Sequence, residues 1–543
     1  MDGRFAANNP FREPRVNPRV VTQALAGNPL AAAYISGTAP AGWFEQPPAS
    51  PDGWRDRVEA VRADSATDWL TKLAPAFEAT GKAKERLNAS ADGRGVVVTT
   101  GQQPGLFGGP VYTISKALSA LALANSLERV SGIPVAPVFW AATDDTDFKE
   151  ASSTVVATTG GAQLLRIDHP ETLGRTMASM PLGDVSAQLE VLVRAAGSTI
   201  DTNPIELVEE FYTPDQTVGS AYVAFLRALF EPLGISVLDA SHPATRGATR
   251  PVLGDALKKA ADIAVRVAER NREIEQTGFA TQVQDVPGLS LVFSSASGGR
   301  KRVPIKAASK WSVSDDLGPN VLLRPVIERS ILPTATYIGG PAEIAYFAQV
   351  SPIAEALGVP RPAILPRWSC MIIEPHVEKT LQKLYLLPED LRDPHEAESR
   401  IARSLLPKRI IEELETTRAL LDERLDVLTE AVADGQKVVG SAVTEGLRAN
   451  LTRRIDRFER RLIAGAKKEH AELMTEIGTA RGSLFPFGKH QERALNFVPL
   501  LARYGPALRD EMLGEAGRHV SGLIGGNAVV EAPQEALSAR GHS

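Results

Sequence analysis

The sequence predicts an α/β fold, a parallel-sheet core with insertions followed by a long antiparallel α-helical coiled coil. Two observations carry this. From Gly95 short apolar runs alternate with helix-length segments, and beyond Pro375 the chain turns charged and helical as far as residue 480. Strand, helix and strand follow one another between Val96 and Trp140, which is the signature of a parallel βαβ unit.

Residues 1–90 hold short helical stretches around Pro-rich loops such as TAPAGWFEQPPASPDGW, and read as a wrapping segment. The core is expected over 91–375. Val96–Thr100 reads as a buried strand and Tyr112–Arg129 as a helix; the connection GQQPGLFGGP holds four glycines and two prolines. Val135–Trp140 is the next strand, running into the acidic TDDTD. Residues 151–200, with weak strand signals such as LLRI broken by Gly and Pro, read as an insertion. TVGSAYVAFLRALFEPLG and ISVLDAS restore the helix–strand alternation. A helical stretch over Val252–Thr277 precedes SLVFSSASGGRKRVPIK, a β-hairpin expected on a Gly-Gly turn inside a second insertion at about 280–320. The strand TATYIGG (Thr334–Gly340) leads into a helix beginning near Pro341, and AILPRWS and MIIEP complete the sheet candidates.

Within 376–480, Ile411, Leu414, Leu421, Leu425, Leu428 and Val432 recur at spacings of three and four, with Arg418 at the one missed position, which is a heptad seam. After a break at Asp434–Gln436, Leu447, Leu451, Ile455, Phe458 and Leu462 repeat the pattern, so the two helices are expected to fold back on each other. Residues 481–525 return through GSLFPFGKHQERALNFVPLLARYG to pack on the core. Residues 526–543 read as a frayed tail.

Composition narrows the function. Hydrophobic residues at 43% and charged residues at 23% are ordinary for a globular chain. Lys and Arg number 60 against 65 Asp and Glu, so the summed charge gives no long-range attraction to nucleic acid or acidic lipid, and an anionic ligand has to be held locally. The first residues, MDGRFAANNPFREPRVNPRV, place charges and prolines where a secretory signal needs an apolar run, and no apolar run reaches membrane-span length; a cytoplasmic location is expected. Cys370 is the single cysteine, which excludes an internal disulfide. With no histidine nearby it reads as a buried thiol. None of the eight histidines has metal-ligand spacing, and no GxSxG nucleophile elbow is present. No protein metal site is expected.

Three segments are candidates for chemistry. A glycine loop feeding a helix offers unpaired backbone amides to an anion, so Gly101, Gly105, Gly108 and Gly109 are candidate binding positions, with Gln102, Gln103, Tyr112, Thr113 and Lys116 adding side-chain hydrogen bonds. A tight βα connection explains the same glycines equally well. The run TDDTDFKE puts Asp144, Asp145 and Asp147 at the end of a core strand, where three carboxylates suit a cation, an amine or sugar hydroxyls. In YIGGPAEIAYFAQ, Gly339 and Gly340 end a strand, and Glu343, Tyr346 and Gln349 follow at spacings of three along the new helix. Arg324 and Arg367, each beside a proline, have the reach to hold a carboxylate.

Five segments in order, TTGQQPGLFGGPVYTISKAL, PVAPVFWAATDDTDF, LRPVIERSILPTATYIGGPAEIAYFAQ, ILPRWS and GKHQERALNF, with the coiled coil between the last two, resemble the bacillithiol biosynthesis cysteine-adding enzymes, the cysteine ligase family. The resemblance runs from about residue 90 to 510. It implies a Rossmann-like core similar to nucleotidyltransferases, a coiled coil that makes a homodimer, and amide-bond formation between L-cysteine and the amine of glucosaminyl-malate. On this resemblance Asp145, Asp147, Tyr112 and Lys116 are the expected catalytic residues, and the other residues named above bind substrate or nucleotide. Carboxyl activation by ATP, with Mg²⁺ at the acidic loop, is the natural route. The family often carries His where this chain has Ser115 and again where it has Thr146. Two other readings stand beside it, a nucleotide- or sugar-phosphate-binding transferase with another acceptor, and a non-catalytic coiled-coil scaffold.

Overall fold

A computed structural model describes residues 17–25, 27–168, 174–295, 299–308, 310–311, 316–393, 395–434 and 441–525. Five strands form the central sheet: β1 (Val96–Gln102), β2 (Val135–Ala141), β3 (Ser236–Asp239), β4 (Thr334–Gly339) and β5 (Ile364–Pro366). All pair in parallel, in the order β5-β4-β1-β2-β3. Starting at β1 the chain builds outward through β2 and β3, then crosses to the other side of β1 for β4 and β5. This is the doubly wound order, and its switch point lies between β1 and β4. Every residue of β2 is buried and β1 is buried as far as Gly101, as expected for strands covered on both faces.

Two helices follow the strands that flank the switch point. Helix α1 (Val111–Ser131) has apolar or small residues around most of its circumference, because it lies between the sheet and the helix Val498–Ile524. Helix α2 (Pro341–Leu357) starts at Gly340 with proline in its first turn and packs against the helices Ala260–Gln276 and Pro29–Ile35. The helices Trp69–Phe77 and Gly81–Asp92 contribute Trp69, Leu73, Phe77 and Leu87 to a cluster with Val97, Trp140 and Leu238, so part of the expected wrapping segment lies in the core.

By compactness the chain divides into two units, one of Asn17–Val156, Leu164–Ile372 and the chain from Gln491, the other containing Ala157–Gln163 and Ile373–His490. In the second unit the helices Lys408–Asp434 and Ser441–Glu469 run antiparallel: Arg418 pairs with Asp456 and Glu459, and Arg448 with Asp422 and Asp426. The break at 434–436 lies largely outside the described residues.

Several expectations are corrected. MIIEP does not join the central sheet. The chain turns away after β5, where Gln23 N–H donates to Ser369 O at 2.8 Å, and Cys370–Ile373 pairs with Arg19–Thr22 in a separate two-stranded sheet. The single helix expected over Val252–Thr277 is two, Pro243–Lys258 and Ala260–Gln276, broken at Lys259. The hairpin Leu289–Ser294 with Lys301–Pro304 gains a third strand, Leu317–Pro319, and the Gly-Gly turn falls partly outside the described residues.

Candidate active site

A cleft of about 580 Å³ opens where β1, β2 and β4 end, which is where a doubly wound sheet presents its ligand site. The β1 and β2 ends lie side by side, with Gly101 opposite Trp140. A Cβ on Gly101 would stand 2.7 Å from Trp140 O, so only glycine permits this approach.

Lys116, in the second turn of α1, ties the two sides of the switch point together. Its Nζ donates to Gly101 O at 2.7 Å and to Gln102 Oε1 at 3.0 Å, and pairs with Glu343 Oε2 at 2.5 Å. An ammonium has three donors, and here each has an acceptor. Burial pulls Lys116 below the usual lysine range, with Glu343 opposing. Glu343 also accepts from Gly340 N–H at 2.8 Å and from Tyr337 OH at 2.6 Å. Burial alone would raise its carboxyl, but Lys116 and the Gly340 amide outweigh burial and hold it below the usual range.

Arginines line the same cleft. Arg324 donates to Glu328 Oε2 at 2.7 Å and to Tyr346 OH at 3.3 Å, and lies over the Tyr337 ring at 4.9 Å. Burial pushes the Tyr346 phenol up to about 12, so it is a neutral hydrogen-bonding group. Arg367 is only 4% exposed and grips Glu492 through two bonds, of 2.7 and 2.6 Å. Burial works to raise Glu492, and the Arg367 guanidinium overrides it. Arg300 donates to Asp144 Oδ2 at 3.2 Å and to Pro319 O at 2.7 Å; burial pushes Asp144 up while Arg300 pulls it back. Arg493 reaches the cleft with no hydrogen-bond or ion-pair partner among the described residues.

At the acidic loop Asp145 accepts from Gln103 Nε2 at 2.6 Å and from the Asp147 amide at 2.8 Å. Tyr112 OH donates to Glu150 Oε1 at 3.1 Å and accepts from Gln102 Nε2 at 3.2 Å.

The cleft therefore brings together Gly101, Gln102, Gln103, Tyr112, Lys116, Asp144, Asp145, Arg324, Gly340, Glu343, Tyr346 and Arg367 from the sequence-based set. It does not bring in the rest of the glycine loop. Gly108 N–H donates to Tyr212 OH at 2.9 Å, Gly109 N–H to Leu106 O and Val111 N–H to Leu495 O, so these three amides are taken by protein. Gly105, Gly108, Gly109 and Thr113 are buried beneath the chain. Asp147 points its carboxylate to the Glu150 amide as a helix cap. Gly339 packs against Ile364, where a Cβ would meet the side chain at 2.6 Å. Gln349 braces the backbone of Val283 and the Asn271 side chain on the helix Ala260–Gln276 instead of lining the cleft. Ser115 is buried, donating to Tyr112 O at 3.1 Å with Arg367 Nη1 3.4 Å from its oxygen, and Thr146 lies on the cleft wall.

Sequence reasoning missed Glu150, Arg300, Tyr337, Glu492 and Arg493. Glu150 closes the TDDTDFKE run and Arg493 lies in GKHQER, so both sit within segments already singled out. Arg300 follows a hairpin turn, where an arginine has no distinguishing context. Among the described residues no group of three or more His, Cys, Asp or Glu side chains is placed to hold a metal ion. With Asp144 engaged by Arg300 and Asp145 by Gln103, the acidic loop does not fit a Mg²⁺ held by protein ligands alone.

A doubly wound core with a polar cleft at its switch point and an appended coiled coil defines a Rossmann-like protein of the ligand-binding kind. Residues 19–317 and 312–368 match the N-terminal Rossmann-like domain of bacillithiol biosynthesis BshC, and residues 370–519 match its C-terminal coiled-coil domain. The chain belongs to the BshC family. Similar proteins carry the name "Putative cysteine ligase BshC". That of Solibacter usitatus is 30% identical over 470 residues, covering 83% of this chain and 88% of the relative. That of Koribacter versatilis is 31% identical over 464 residues, covering 80% and 86%, and that of Chlorobaculum tepidum 26% identical over 486, covering 83% and 86%.

Proposed function

We propose that this chain is a carbon–nitrogen bond-forming ligase that joins the carboxyl group of L-cysteine to the amine of glucosaminyl-malate, forming bacillithiol. The observation that carries the reading is the pairing of opposite charges in one cleft. The unpartnered Arg493 and the Glu150 carboxylate both lie close enough to Tyr112 to act on its phenol, so a substrate bearing carboxylates and an amine finds a partner for each. The names of the relatives support cysteine as a substrate, and its use as the acyl donor is part of this proposal.

A carboxylate does not acylate an amine at neutral pH until one of its oxygens becomes part of a leaving group. ATP, brought with its own Mg²⁺ as a co-substrate, is the activating reagent in this proposal, giving an acyl phosphate or acyl adenylate. The test is mass spectrometry of reactions containing the protein, L-cysteine and glucosaminyl-malate, with and without Mg-ATP. A cysteinyl product that depends on ATP is expected. Product without ATP removes the activation route, and no product in either reaction, from folded protein, overturns the ligase reading in favour of a transferase with another acceptor.

The coiled-coil unit is proposed to bind a second copy of the chain. Ile410, Leu420, Leu428, Leu447 and Phe458 remain exposed along its two helices, more apolar surface than a solvated hairpin needs.

A further inference from the structure

Amide formation needs a base for the attacking amine, and hydrogen bonding singles out one acid among those around the cleft. Asp144 is paired with Arg300, Glu343 with Lys116, Glu328 with Arg324 and Glu492 with Arg367. Asp145 has one oxygen on Gln103 and the other on the Asp147 amide. Among the described residues Glu150, like Asp145, has no ion-pair partner, and of the two only Glu150 keeps an oxygen, Oε2, that accepts no hydrogen bond. Asp147 caps the Glu150 amide outside the cleft lining.

The contact to Oε1 belongs to a chain of fixed polarity. Lys116 can only donate, so its 3.0 Å contact fixes Oε1 of Gln102 toward it and turns the Gln102 amide nitrogen to Tyr112. The Tyr112 oxygen, accepting from Gln102, must then give its own proton to Glu150. Lys116, Gln102 and Tyr112 thus hold Glu150 in place through Oε1 and leave Oε2 uncommitted. The titratable and charged groups facing Glu150 are Asp145 and Asp147 on its own loop, Tyr112 and Lys116 on α1 and Tyr222 on the helix Val218–Phe230, with Arg493 facing Tyr112 from the returning segment. Burial, then Asp147 and Asp145, push its carboxyl above the usual glutamate range, against the pull of the Tyr112 hydrogen bond. This moves it toward the pH at which a base is effective.

We propose that Glu150 is the general base of the ligation, with Tyr112 as its positioning residue. The inference rests on the ligase reading above. The amine nitrogen attacks the activated cysteinyl carbonyl carbon and a C–N bond forms. The bond from that carbon to the phosphate oxygen breaks, its electron pair leaving with the phosphate, and the proton of the new ammonium goes to Glu150.

The experiment compares wild type, Glu150→Gln and Tyr112→Phe across pH, measuring cysteinyl product and, separately, cysteinyl hydroxamate formed when hydroxylamine replaces the amine substrate. Hydroxylamine is largely unprotonated at neutral pH and reports activation alone. Glu150→Gln is expected to lose product formation by about 10²–10⁴-fold, to keep hydroxamate formation, and to lose the limb on which the rate rises with pH. Tyr112→Phe removes a hydrogen bond that favours the carboxylate, so that limb should move to higher pH. Product formation by Glu150→Gln at the wild-type rate, or an unmoved limb in Tyr112→Phe, overturns the assignment while leaving the ligase reading intact. Absence of product from wild type overturns both.

Discussion

Arg367 and Glu492 lie 125 residues apart in sequence and meet as a buried two-pronged ion pair beneath the cleft. Each charge is held in the interior by the other. Removing one partner strands the other, which typically costs about 3–5 kcal/mol, while replacing both with apolar side chains of similar volume is near neutral. Arg367→Met is therefore expected to reduce unfolding free energy by about that amount, and Arg367→Met with Glu492→Met to regain most of it. Denaturant titration decides this, and an undiminished loss in the double variant would show that the two residues are not coupled. Glu150 carries the opposite sign of linkage from Glu492. Its folded carboxyl is raised, so its contribution to stability is full at low pH and is lost as pH rises through the folded value, while the base form that catalysis uses gains. Legibility at this scale followed segment context: Lys116, Asp144 and Asp145 stand in marked motifs at strand ends, whereas nothing in the local sequence pairs Arg367 with Glu492.

The glycine loop shows what an element conceals. Its composition suits an anion cradle and a packed turn equally well, and the neighbours decide. Gly108 has φ +83°, and a Cβ there would lie 2.6 Å from the Phe225 ring and 2.7 Å from that of Phe497. Asn496 Nδ2 donates to Phe107 O at 3.0 Å, which pins the loop from the returning segment. The loop's role is to seat α1, and α1 in turn places Tyr112 and Lys116. Gly108→Ala is expected to destabilise the fold by about 2–5 kcal/mol from left-handed strain and overpacking together. Chemical denaturation measures it, and a change within about 0.5 kcal/mol, the range of a neutral surface substitution, would mean that the loop has room to move. In the coiled coil, the missed heptad position was legible and its purpose was not, since Arg418 reaches across to Asp456 and Glu459 on the opposite helix.

At the scale of the whole molecule, the proposed assembly is the expectation most open to test. Light scattering on a variant lacking residues 405–478 should give a monomer where the full chain gives a dimer; a shortened chain that stays dimeric places the interface elsewhere. Among the described residues no helix is long and apolar enough to cross a membrane.

By itself the sequence determined the alternation of strands and helices, the two glycine-bearing junctions, the heptads and the family to which the motifs point, because each is written in local periodicity or in contiguous residues. Tertiary structure decided the strand order β5-β4-β1-β2-β3, the burial of the glycine loop and the partner of each charge. Those outcomes depend on which distant segments share a surface. Glu150 is left without an ion-pair partner because the nearby Lys116 is turned to Glu343, a residue more than two hundred positions away from that lysine that only the fold brings there.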